Sequence, residues 1–71
     1  MADSTKTLKG RIIEGVEFVR DTGLTNMFDS PLVQRIAFDN GYYELVNFIE
    51  EHKKEYGHLI LTGEFPEDFE P

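Results

Sequence analysis

The sequence predicts an all-α fold: a compact three-helix bundle, with a short fourth helix possible at its end and an acidic C-terminal tail. Three observations point there. Apolar residues recur at three- and four-residue spacings in three separate stretches. Residues that start or stop helices punctuate those stretches: Thr22-Gly23, Asp29-Ser30-Pro31 and Asp39-Asn40-Gly41. The one short run that could be a strand, HLILT at 58–62, has no partner strand elsewhere, so it reads as a last helical turn. The expected organisation is one helical domain over residues 1–63 and a tail over 64–71.

The first helix has Leu8, Ile12, Val16 and Val19 on one face, widened by Ile13 and Phe18, with Ser4 or Thr5 as its expected cap. Gly23 suits the left-handed position just past its end. Within it, Gly10 and Gly15 each cost about 1 kcal/mol relative to alanine. That cost makes sense where another helix packs close, so Gly15 is expected at a crossing. In the second helix proline stands at the first helical position, where its missing N–H is no loss. Leu32, Val33, Ile36 and Ala37 then form its inward stripe. The third helix is expected over 42–56, with Tyr42, Leu45, Val46 and Ile49 inward, continuing past the stem of Lys53 to Tyr56, and Gly57 as its breaker. Phe18, Phe28, Phe38 and Phe48 recur every ten residues, but their neighbours do not match and the period carries no structural meaning.

With 71 residues there is room for one domain, and a core of this size supports a net stability of about 4–10 kcal/mol. No cysteine is present to add a disulfide or a thiolate metal site, so self-association into a homo-oligomer is a natural route to further stability. The N-terminal MADSTKTLKG is polar and no apolar run reaches membrane-spanning length. A soluble protein of the cytoplasm is expected, with no membrane partner. The formal charge of −7 comes from 14 acidic and 7 basic residues. Nucleic-acid binding rests on neutralising phosphates with Lys and Arg, so this balance argues against it unless the few cations cluster. Only Lys6, Lys9 and Arg11 do.

No residue set announces a chemistry. His52 and His58 lie too far apart for a ligand pair on one helix face, and neither an HExxH nor a calcium-loop pattern occurs. Glu50 and Glu51 are consecutive and point to different sides of a helix. Ser4 and Ser30 stand at helix starts, where capping accounts for them. The expectation is a non-enzyme without cofactor or metal.

A helix-turn-helix is the alternative. Ala37 and Gly41 have the spacing of the small residue and the turn glycine in such units, with Ile36 and Tyr42 as apolar neighbours. The match then fails, because Asn40 stands where an apolar residue closes the turn, and Asn47 and Glu50 stand where the second helix should face the core. Its outer face offers Tyr43, Glu44 and Asn47, a poor set for reading base edges. Two features suit a protein partner better. Asn26, Met27 and Phe28 form an apolar loop near Asn40 and Tyr43, a composition common at interfaces. Phe65 and Phe69 alternate with acids in the tail, which reads first as a solvated end and second as a docking segment.

The stretches TNMFD, VQRIAFDNGYYELVNFIEEHKKEY and LTGE, within residues 22–64, together with the adjoining RIIEGVEFVRDTG, resemble a family of short uncharacterised proteins encoded by phages, prophages and mobile elements of Gram-positive bacteria. The resemblance brings no catalytic or ligand residues with it. What it implies is a class of small accessory proteins that act by binding proteins of the host or the phage, some as inhibitors of host or defence proteins.

Overall fold

Among the described residues of the computed structural model four helices follow one another: α1 (Leu8–Thr22), α2 (Ser30–Asp39), α3 (Tyr43–Glu51) and α4 (Lys53–Thr62). The structure describes residues 7–67 and 69, and among these there is no strand. The HLILT run is helical, as its lack of a partner strand implied.

α1 starts where the Thr7 hydroxyl accepts a hydrogen bond from the Gly10 N–H at 3.0 Å. Ser4 and Thr5, the expected caps, lie outside the described residues. Ile12, Val16 and Val19 form the buried stripe of α1, and Gly23 ends the helix at φ +67°, its N–H donating to the Arg20 carbonyl. Gly15 sits at the crossing of α1 and α3. A methyl group placed on it would lie 3.1 Å from both Cβ and Cδ2 of Leu45 and 3.2 Å from Cβ of Tyr42.

α2 begins on the Asp29 carbonyl, which accepts from the Leu32 and Val33 N–H groups. Val33 and Ala37 are fully buried, whereas Leu32, expected inward, is 38% exposed. Val33, Ile36 and Ala37 already fill the inward arc, and Leu32 falls one helical position outside it. The helix closes in a Schellman turn. Tyr42 N–H donates to the Ala37 carbonyl at 2.8 Å and Gly41 N–H to the Phe38 carbonyl at 3.2 Å, with Gly41 at φ +84°. These backbone bonds help set the angle between α2 and α3.

α3 is the central helix, packing against both α1 and α2 through Leu45, Phe48 and Ile49. Gln34 reinforces the second contact by donating to the Val46 carbonyl from α2. The single helix expected over 42–56 is broken at His52, whose backbone sits at φ −137°, ψ 56°. The reason lies in residues 50–55, EEHKKE, six polar positions with nothing apolar to hold a straight helix on the core. The bend returns Tyr56 and Leu59 to the interior. Lys53 consequently faces solvent, and Gly57 lies within α4 instead of ending it. Gly63, at φ +82°, is the terminator.

The tail also departs from expectation. Phe69 is only 6% exposed and Phe65 is half-buried. The two rings stack at 5.3 Å with planes 9° apart, and each meets Phe48 edge-on, at 5.6 Å for Phe65 and 5.2 Å for Phe69. Burying these rings offsets the entropy lost in ordering a short segment of chain. The radius of gyration, 11.4 Å, matches the roughly 11 Å of a folded chain of this length, as it should with the tail laid against the body. Asp68, Glu70 and Pro71 lie outside the described residues.

Candidate functional site

The residues singled out from sequence divide between core and surface. Asn26 is exposed, but its Oδ1 accepts from the Phe28 N–H at 2.8 Å and shapes the loop. Met27 packs on the core, and its carbonyl accepts a 2.6 Å bond from the Tyr56 hydroxyl, pinning the loop to α4. Asn40 is exposed, with Nδ2 donating to the Ile36 carbonyl at the end of α2. Phe65 and Phe69 turn inward and offer little surface. Phe28 and Tyr43 alone remain as large apolar groups in water, at 56% and 53% exposure.

Sequence reasoning missed their neighbour. Phe38, 58% exposed, meets the Tyr43 ring at 5.4 Å in an edge-to-face pair, so two aromatic side chains flank the α2–α3 turn on the outside. Leu32, 38% exposed, stands about 120° around α2 from Phe38, and Phe28, 56% exposed, just precedes the helix. A signal for Phe38 existed: once Val33, Ile36 and Ala37 form the inward stripe, residue 38 points away from it. Contiguous exposed apolar surface marks interaction sites on small soluble proteins more often than isolated apolar residues do.

Among the described residues no three His, Asp or Glu side chains come together as metal ligands would. His58 is exposed. His52 is half-buried, its ring 5.2 Å from Phe69 and 5.9 Å from Phe48, with Nδ1 3.8 Å from Glu55. Burial pushes the Tyr56 phenol up to about 12, and its hydroxyl donates to the Met27 carbonyl. Of the N-terminal cations, Lys6 lies outside the described residues, Lys9 sits over the Phe65 ring at 5.5 Å and Arg11 pairs with Glu44 at 3.0 Å. The two described cations are thus turned toward the protein's own side chains. No described helix is long and apolar enough to cross a membrane.

A family model described as a domain of unknown function, DUF5049, matches residues 8–64. The match begins with the first residue of α1 and ends just beyond α4, leaving Phe65 and Phe69 outside it. No curated protein matches the chain, and no solved structure matches it. Since the match takes in all four helices and well over half of the sequence, the chain belongs to the DUF5049 family of uncharacterised proteins.

Proposed function

We propose that this protein is a non-catalytic accessory protein of a phage or prophage that works in the host cytoplasm by binding another protein, and that it inhibits a host or defence protein through that contact. The paired rings of Phe38 and Tyr43, held outside the core on a hydrogen-bonded turn, support this reading above all else. Aromatic residues of this kind supply much of the energy of protein interfaces, and a fixed turn keeps the ordering cost low. The −7 charge favours a basic partner surface and hastens its encounter. Self-association through the same face is a lesser form of the same reading.

The test is affinity capture from lysate of a Gram-positive host with the native chain and with a Phe38→Asp/Tyr43→Ser double variant. Specific recovery of one protein by the native chain, lost in a variant whose helical circular dichroism is unchanged, is the expected result. Equal recovery by both, or no specific protein with either, counts against the reading.

A helix-turn-helix regulator is the second reading, and the Schellman turn between α2 and α3, with Ala37 buried beneath it, favours it. The exposed face of α3 opposes it, because Tyr43, Asn47, Glu50 and Glu51 would meet the phosphates. A mobility-shift assay at low salt separates the two: binding to a duplex at micromolar protein would favour the regulator.

A further inference from the structure

A cavity of about 260 Å³ opens between the start of α1 and the end of α3. Leu8, Ile12, Phe48 and Phe69 give it an apolar floor, and α3 supplies a polar wall from Glu44, Asn47 and Glu51, three side chains at helical spacing along one face. The wall is unevenly occupied. Glu44 is held by Arg11, whereas Asn47 makes no side-chain hydrogen bond and Glu51 no ion pair among the described residues. The volume falls below the roughly 300–1,000 Å³ of sites that enclose whole small ligands, so it suits a single side chain.

We propose that this cavity receives a lysine or arginine side chain of a partner protein. The aliphatic stem would lie on Leu8, Ile12 and Phe48, while the cation reaches Glu51 and Asn47 at the rim, the division of labour that long basic side chains adopt at half-apolar surfaces. The protein already shows this pairing with its own groups: an Arg11 guanidinium on Glu44 at one wall, and the Lys9 ammonium above the Phe65 and Phe69 rings at 5.5 and 5.8 Å. Complementary charges across an interface fix its register, and a net charge of −7 favours basic partner groups for that role. The inference rests on the protein-binding reading above, but names a distinct site, lined by residues further along α3 than Tyr43.

The test titrates ¹⁵N-labelled full-length protein with blocked lysine, blocked arginine and blocked norleucine, the last matching lysine in shape without its charge. Amide shifts confined to Leu8, Asn47, Phe48, Glu51 and His52, at millimolar lysine or arginine and weaker for norleucine, are expected. Glu51→Gln should weaken binding about two- to fivefold, the range for a partly exposed ion pair, and Glu51→Lys should abolish it. Preference between the two cations identifies the side chain. Norleucine binding as well as lysine, an unchanged affinity in Glu51→Gln, or no localised shifts would each overturn the proposal. Such a failure leaves capture through Phe38 and Tyr43 untouched, so the two readings fall separately.

Discussion

Replacing Phe69 by alanine tests whether the C-terminal segment is part of the fold. Phe69 is 6% exposed and touches Phe48, Phe65 and His52, all with ring centroids within 5.3 Å. Burying a phenylalanine side chain is worth about 1.5–3 kcal/mol, and each good aromatic contact adds roughly 0.5–1.5 kcal/mol. Against this stands the ordering of the chain beyond Gly63, at about 1–2 kcal/mol per residue for the backbone. The segment lies beyond α4, the last described helix, and can detach without unfolding the helices, so the loss cannot exceed the free energy that holds it down. A net cost of about 1–3 kcal/mol follows, well short of the largest values for a ring deleted from an enclosed core.

For a domain of this length that cost lowers the melting temperature by about 5–20 °C, since 1 kcal/mol corresponds to roughly 4–8 °C. Thermal unfolding followed by circular dichroism measures it directly. The detachment argument adds a sharper requirement: removing residues 64–71 should cost little more than Phe69→Ala alone. A melting temperature within 2 °C of the native value for Phe69→Ala would refute the packing of the ring. A deletion much more damaging than the point variant would refute detachment as a unit.

Two further substitutions probe the helices. Gly15→Ala adds a methyl at 3.1–3.2 Å from Cβ atoms of Leu45 and Tyr42, which are fixed to the α3 backbone and cannot rotate away. Overpacking of about 1–3 kcal/mol then exceeds the roughly 1 kcal/mol of helix propensity gained; the denaturation midpoint should fall, and fall further for Gly15→Val, whereas a rise for alanine would show that α1 and α3 separate freely. Tyr56→Phe removes the hydroxyl from the Met27 carbonyl and should cost about 1–2 kcal/mol. It also isolates a pH effect: because the folded state keeps the phenol proton up to about 12 while the unfolded chain releases it near 10, this stabilisation is complete below pH 10 and fades as pH rises toward 12. Unfolding measured across pH 9–12 should decline more steeply in the native protein than in Tyr56→Phe, and parallel curves would sink the assignment.

What the sequence revealed and what it hid have a common physical basis. Signals confined to neighbouring residues were legible: the glycine terminators at 23 and 41, the proline at the start of α2, and the close helix approach at Gly15 all act within a turn or across one expected crossing. The break at His52 was harder, since EEHKKE is a good helical sequence in isolation and only the position of the core makes a straight course unfavourable. The tail was hardest. Acids alternating with aromatics describe a solvated end equally well, and Phe69 finds Phe48 only once α3 and α4 have presented it. The same limit applies to the candidate surface: Tyr43 could be read as outward because two adjacent tyrosines cannot both face inward, while its pairing with Phe38 depends on the turn between them.

The two fates of the aromatic residues bear on what the surface is for. Phe65 and Phe69 come from the far end of the chain to cover Phe48, so the fold does gather rings where a core flank is open. Phe38 and Tyr43 stand beside the Schellman turn and stay in water. Rotating α2 to bury Phe38 would bring out Val33, which is fully buried, so the exposure follows from helix geometry once Ala37 faces inward. That geometry dictates the direction of residue 38, not its identity. A polar side chain there would leave Val33, Ala37 and the Schellman bonds as they are. An exposed ring pair recovers only part of its hydration cost from its own edge-to-face contact. The remainder is recovered when another surface covers both rings at once, and a rigid turn presenting them together makes that covering favourable.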